Sequence, residues 1–314
     1  MIKLGIVMDS IFCINIKKDT SFAMLLEAQH RGYEIHYIEI NDLFLRNGIT
    51  YAHTRLLSIE QNYKKWHNFI SEQEINLGDL DVILMRKDPP FNTEFIYTTY
   101  LLERAEEQGT LIINKPQSLR DCNEKLYASW FTDLIPDTLV TRNKEKLRDF
   151  CYEHGDVIFK PLDKMGGMSI FRVTKNDPNI RVIIETLTNY GQSFCMIQNY
   201  LPAVKKGDKR ILMVNGKAIP YCLARVPQDG ETRANLAVGG FGKVCPLSNS
   251  DWEIAHRIGP TLRAKGLIFV GIDIIGDKLT EINVTSPTCV CEIESSFSIS
   301  ITGMLMDFIE TQLN

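Results

Sequence analysis

Strand-length apolar runs alternate with helical stretches through the first third of the chain, and that alternation restricts the fold more than any single motif does. Ile2–Met8 and Glu34–Ile40 read as strands. Between them, Ser21–Gly32 has helical spacing in Phe22, Leu25, Leu26 and Ala28 and ends on a glycine. Asp81–Met85 is a further buried strand, Thr93–Gln108 a helix closed by Gly109, and Leu111–Asn114 a short strand. The order predicts a parallel sheet with helices on both faces. Ligands of such sheets collect at the carboxyl ends of strands, where Asp9, Ser10 and the run Arg86-Lys87-Asp88-Pro89-Pro90 fall. That run reads either as a solvated charge cluster or as a substrate-binding loop stiffened by its prolines.

The middle changes character. Ser118–Phe131 reads as a helix carrying Lys125, Asn143–His154 as a helix, and Thr138–Val140, Val157–Lys160, Ser169–Val173 and Phe194–Gln198 as strands, with a helix near Pro178–Thr188. The last third opens on a hairpin, Arg210–Val214 and Ala218–Leu223, about an Asn215-Gly216 turn. A polar, glycine-containing stretch from Val226 to Gly242 follows, then a helix at Asp251–Lys265, strands at Ile268–Ile275 and Leu279–Val284, and a helix near Ile299–Gln312. The fold class is therefore α/β at the start and α+β afterwards, and 314 residues suit two or three domains.

Composition narrows the partners. Lys and Arg total 35 against 39 Asp and Glu, a net charge of −4, which argues against nucleic acid or an anionic membrane as partner. No segment approaches the roughly 20 apolar residues of a spanning helix, and the start MIKLGIVMD is too short for a secretory signal. The eight cysteines include no CxxC, which favours reduced thiols in a cytoplasmic protein. Cys289-Val-Cys291 as a metal or redox pair is the alternative.

P-loop, dinucleotide-binding, zinc-protease and nucleophile-elbow patterns are all absent. Positive signals are spread out. Lys160 stands at a strand end before the glycine pair Gly166-Gly167, an arrangement able to cradle phosphate oxygens, or simply a hairpin turn with a surface lysine. Glu281 and Asn283 are two apart on one strand and share a face. Such oxygen ligands suit Mg²⁺. Asp273 lies on the partner strand, but a strict two-residue turn would pair it with Thr280, so a metal shared with Glu281 needs a bulge or an odd loop; otherwise the hairpin is merely half-exposed. Arg210 and Arg225 lie within or just after apolar strands, where an anion or a carboxylate partner is required. Arg233 lies in the long polar stretch, which has the makings of a lid.

In this order the pieces resemble the ATP-grasp ligases, and nearly the whole chain resembles the bacterial glutathione synthetases. DVILMRKDPPF, NKPQSLRDCNEKLYASWF, KPLD-x-MGG-x-SIFRV, GDKRILMVNG, GETR-x-NLA-x-GG and LIFVGIDIIGDKLTEINVTSPT carry the resemblance. It implies an N-terminal Rossmann-like substrate lobe at 1–122, a central ATP-grasp lobe at 123–200 and a C-terminal lobe at 201–314 with a mobile loop at 226–242. The implied reaction joins γ-glutamylcysteine to glycine at the expense of ATP, with Mg²⁺ (or Mn²⁺ in its place), through an acyl phosphate, in a cytoplasmic homotetramer.

Carried onto this chain, the resemblance assigns ATP to Lys125, Lys160, Gly166, Gly167, Gln198, Asn199, Tyr200, Leu201 and Asp208, and the metal to Asp273, Glu281 and Asn283. It assigns catalysis to Arg210, Arg225 and Arg233, and substrate binding to Ser286, Pro287 and Thr288, with Arg86 of the strand-end run as a further substrate-binding candidate. Against the family's pattern, Lys164 and Met168 stand at flap positions that are usually small, Ala234 replaces a glycine, and Phe241 and Cys291 replace arginines. These departures bear on flap mobility and acyl-phosphate protection rather than on reaction type. Two other readings are another ATP-grasp carboxylate–amine ligase, which differs in the first lobe and the Arg233 loop, and a non-catalytic ATP-binding regulator.

Overall fold

The computed structural model describes residues 1–314 apart from 63, 64, 232, 237 and 238. Three sheets organise it. The first contains β1 (Lys3–Met8), β2 (Glu34–Ile38), β3 (Leu43–Arg46), β4 (Ile49–Ile59), β5 (His67–Asn76), β6 (Val82–Arg86) and β7 (Leu111–Ile113), in the order β3-β4-β2-β1-β6-β7 with β5 on β4. The β2-β1-β6-β7 half is parallel, as the alternation predicts. Strands β3, β4 and β5 depart from that expectation: β4 runs antiparallel on β2 and carries β3 and β5 antiparallel to itself, so the sheet is mixed.

Helices α1 (Thr20–His30), α2 (Thr93–Glu106) and α3 (Pro116–Asp121) belong to this region. Asp19 caps α1 by accepting from the Phe22 amide at 2.7 Å, and Asn92 caps α2 through Phe95. The helix expected over Ser118–Phe131 is not continuous. It stops at Asp121 because the Asn123 side chain accepts from the amides of Lys125 and Leu126 and turns the backbone before the short 3-10 helix at Tyr127–Trp130.

The second sheet comprises β8 (Thr138–Thr141), β9 (Asp156–Pro161), β10 (Phe171–Thr174) and β11 (Cys195–Asn199), all antiparallel, with α4 (Lys144–His154) and α5 (Ile180–Leu187). Leu147, Val157, Phe159, Ile184 and Ile197 form a core of their own. The third sheet runs β14-β13-β12-β15-β16, built from β12 (Asp208–Val214), β13 (Lys217–Val226), β14 (Phe241–Pro246), β15 (Phe269–Ile275) and β16 (Lys278–Asn283). Helices α6 (Asn249–Ala264), α7 (Val290–Ser296) and α8 (Ile301–Leu313) complete the chain.

The first and third sheets share their cores. Ile83 and Met85 of β6 cluster with Ile272 and Ile282, while Leu84 clusters with Leu212 and Leu305. Strand β6 is thus buried on both faces, as parallel strands are. Asn114, just past β7, locks the junction. Its amide nitrogen donates to the carbonyls of Phe269 and Val284 at 2.8 and 2.7 Å, and its oxygen accepts from the Ile268 and Phe269 amides at 2.7 and 2.9 Å. One side chain therefore fixes the start of β15 and the segment leaving β16.

Candidate active site

A cleft of about 470 Å³ opens where all three sheets meet. On β9, Val157 and Phe159 point into the local core, so Ile158 and Lys160 point the other way, into the cleft. Lys160 is buried, which pushes its ammonium below the ordinary lysine range; Glu281 pulls it back up while Lys125 adds to the depression. Lys125 donates to the Lys164 carbonyl at 2.5 Å and stands 3.6 Å from Glu281. Gly166 and Gly167 both take positive φ, and a Cβ on Gly167 would lie 2.7 Å from the Asn235 side chain. The flap therefore needs its glycines to lie against the β13–β14 loop.

Strand register assembles the charged centre. Asp208 faces Arg225 across β12 and β13, and Arg210 faces Asp273 across β12 and β15. Asp273 then faces Glu281, because a bulge at Thr280 shifts the β15–β16 register; Thr280 donates to the Asp273 carbonyl at 3.1 Å. This supplies the irregularity that the sequence requires for the three polar residues to share a face. Arg210 grips Asp273 through Nε at 2.5 Å and Nη2 at 3.0 Å, and Arg225 reaches Asp208 at 2.6 Å and Asp273 at 2.9 Å.

All four groups are buried or nearly so, and they titrate differently. Burial alone would raise the Asp273 carboxyl, but the two guanidiniums hold it well below the usual carboxylate range. Burial, with Asp273 and Glu281 nearby, lifts Asp208 to about 6 against the pull of Arg225. The Asp208 Oδ1 atom is buried with no partner among the described residues. A Cβ at Gly271 would meet Arg210 Cδ at 2.9 Å, so that glycine leaves the room the guanidinium occupies.

The cleft brings together every expected ATP, metal and catalytic residue: Lys125, Lys160, Gly166, Gly167, Gln198, Asn199, Tyr200, Leu201, Asp208, Arg210, Arg225, Arg233, Asp273, Glu281 and Asn283. Ser286 and Thr288 line it too, but Pro287 and Arg86 do not. The Arg86 guanidinium is buried, donating to Ser21 Oγ at 3.1 Å and to the Pro287 carbonyl at 3.0 Å. It is neither a solvated charge nor a group at the cleft wall; it ties the end of β6 to the 286–288 turn. Asp9 instead pairs with Lys87 at 2.8 Å.

Arg233 pairs with Glu231 at 2.6 Å and donates to the Gly167 carbonyl at 3.4 Å, which joins its loop to the flap. The expected loop 226–242 is shorter, because Val226 pairs with Phe241 and Arg225 with Gly242 at its strand ends. Residues 232, 237 and 238 of it lie outside the described residues. The Cys289 and Cys291 thiols approach different groups, Thr288 Oγ1 at 3.7 Å and the Asp19 carbonyl at 3.4 Å, so they form no common site.

Other contributors are given no role by the sequence reading. Glu124 accepts from the Val284 and Thr285 amides at 2.9 and 3.0 Å and from the Thr285 hydroxyl at 2.8 Å, which holds the segment after β16. Ile158, Val204 and Ile275 pack with Tyr200 and Ala234 as an apolar wall. Its strands were visible as apolar alternation; its position beside the charges was not.

Glu281 and Asn283 offer oxygen donors suited to a hard cation. The Asn283 Nδ2 donates to the Gly271 carbonyl at 3.2 Å, which leaves its oxygen for a ligand. Both Asp273 oxygens already face guanidiniums, and among the described residues no three His, Cys, Asp or Glu side chains form a metal cage by themselves. The donor set fits Mg²⁺ that takes part of its shell from phosphate and water.

Comparison with known families settles the lineage. The prokaryotic glutathione synthetase N-terminal domain matches residues 2–120, and the prokaryotic glutathione synthetase ATP-grasp domain matches residues 124–298. The chain belongs to the prokaryotic glutathione synthetase family. It is 73% identical over 313 residues to glutathione synthetase of Salmonella typhimurium and 69% identical to that of Escherichia coli K12, covering 100% of this chain and 99% of each relative. Among solved structures, the D-cycloserine synthetase DcsG superposes with a TM-score of 0.69 at 14% identity, over 99% of this chain and 100% of that one. D-alanyl-alanine synthetase A from Vibrio cholerae gives 0.61 at 12%, over 99% and 98%. These two neighbours show the shared ATP-grasp fold, and this family member is an ATP-grasp ligase.

Proposed function

We propose that this cleft carries out the ATP-dependent formation of glutathione by joining the cysteinyl carboxylate of γ-glutamylcysteine to the amine of glycine. The observation that carries the reading is the paired-arginine centre, where Arg210 and Arg225 are fixed by Asp273 and Asp208 beside two lysines. Guanidiniums already held by carboxylates need no reorganisation when a phosphoryl group transfers. The apolar wall of Ile158, Tyr200, Val204 and Ile275 suits the face of an adenine, and Gln198 to Leu201 border it with polar and backbone groups. Lys125 and Lys160 are placed for phosphate oxygens.

The carboxylate oxygen attacks the γ-phosphorus as ADP leaves, and the glycine nitrogen then displaces phosphate from the acyl carbon. No covalent enzyme nucleophile is called for, in keeping with the lack of any such motif. Glu281 and Asn283, with Asp273 behind them, would hold Mg²⁺ (or Mn²⁺), which neutralises phosphate charge when bound. Arg233 and its loop cover the flap and exclude water from the activated acyl group. Residues 1–122, 123–200 and 201–314 act as the three lobes of this grasp, and Ser286 and Thr288 border the acceptor.

All eight cysteines are free, which supports a reducing, cytoplasmic setting; among the described residues no helix is long and apolar enough to cross a membrane. We assign the functional form to a homotetramer on the family resemblance. The test of the reaction is ADP release with γ-glutamylcysteine and glycine supplied singly and together. Release that requires both, with stoichiometric glutathione, supports the reading; release that ignores either, or prefers a different acid or amine, removes it.

A further inference from the structure

Strands β13 and β14 place two thiols face to face. Cys222 and Cys245 are directly opposed in the antiparallel register, and their sulfurs lie 3.4 Å apart. Directly opposed Cα atoms in an antiparallel pair are about 4.5–5.5 Å apart, inside the about 4.4–6.8 Å range a disulfide spans. Closing the gap to a bond of about 2 Å therefore asks for side-chain rotation rather than movement of the strands. Cys222 is fully buried, whereas Cys245 is only half-buried. We propose that Cys222 and Cys245 are a thiol–disulfide exchange site for small-molecule disulfides, and that its oxidation fastens the edge strand β14 to β13.

The burial difference sets the order of events. Cys245, the less buried of the two, enters first, while burial and the neighbouring sulfur raise the Cys222 thiol. The Cys245 thiolate attacks a small disulfide; one sulfur–sulfur bond breaks, a small thiol leaves, and a mixed disulfide forms. Cys222 then gives up its proton and attacks the Cys245 sulfur, releasing the second small thiol. Two protein thiols are oxidised as one small disulfide is reduced to two thiols, and excess small thiol reverses both steps. Among the described residues strand β14 pairs only with β13, so the covalent link would add to main-chain bonds at an edge. It sits at the base of the hairpin whose loop carries Arg233.

The experiment exposes the native full-length protein to glutathione disulfide, quenches free thiols and maps peptides by mass spectrometry, with hydrogen exchange in parallel. The expected result is a Cys222–Cys245 cross-linked peptide, lighter by two hydrogens, together with several-fold slower exchange across Phe241–Pro246. Cys245→Ser should remove both, and added dithiothreitol should reverse both. Modification confined to the exposed Cys13, a cross-link seen only after denaturation, or unchanged exchange at β14 in the cross-linked protein would each overturn the proposal.

Discussion

Asn114 is one side chain, yet its replacement by alanine should loosen the junction between the first and third sheets. The residue is 3% exposed and makes four hydrogen bonds of 2.7–2.9 Å to backbone groups of residues 268, 269 and 284. Each bond contributes a net ~0.5–1.5 kcal/mol, and a buried group left unpartnered costs ~1–3 kcal/mol. Water entering the vacated space offsets part of that loss, so Asn114→Ala should destabilise by roughly 4 kcal/mol, out of a total of typically ~5–15 kcal/mol. At roughly 2–4 °C per kcal/mol for chains of this size, the first thermal transition should fall by roughly 8–16 °C. Because Val284 follows Asn283, activity should also require more Mg²⁺. Asn114→Asp keeps the acceptor but sets a carboxylate oxygen against two carbonyls, so it should be at least as damaging at neutral pH. Calorimetry of the three proteins tests this. An alanine variant that melts within about 2 °C of the parent would show that the four bonds do not carry the junction.

Four further outcomes follow from the cleft. Glu281→Gln and Asn283→Ala should keep the fold and lose turnover by roughly a hundredfold at limiting Mg²⁺, read from initial rates across a magnesium titration. Lys160→Ala should raise the KM for ATP more than that for glycine, and equal changes would return Lys160 to a structural part. Arg233→Ala should slow ligation and raise the share of ATP hydrolysed without product, measured as phosphate released per glutathione formed. Asp208 holds its proton up to about 6 in the folded protein against an ordinary 3.8; its contribution is present at low pH and lost as pH rises through about 6, so the stability of the parent relative to Asp208→Asn should decline across that interval.

Periodicity and strand-end position made the parallel half of the first sheet, the β12–β13 hairpin and the glycine flap legible. Register made the rest. The pairing of Arg210 with Asp273 depends on strands 63 residues apart, and the Thr280 bulge that aligns Glu281 has no local signal beyond polarity. Arg86 looked like a strand-end charge at a cleft, but burial beneath the 286–288 turn is a tertiary fact. The helix read over Ser118–Phe131 is ended by a single asparagine side chain competing for backbone amides. Asn114 opens one of the segments that carry the resemblance, but nothing local assigns it a role; its worth lies in four backbone groups that meet around it only in the folded chain.

Transfer of a phosphoryl group to a substrate carboxylate at the arginine centre is the central step of the proposed reaction. The direct measurement uses γ-glutamylcysteine with heavy oxygen in its cysteinyl carboxylate, turned over with ATP and glycine. One labelled oxygen per glutathione should appear in the released phosphate, and Arg225→Lys should reduce the rate without changing that ratio. Phosphate that carries no label, while glutathione still forms, would contradict the acyl-phosphate route and with it the role given to Arg210 and Arg225.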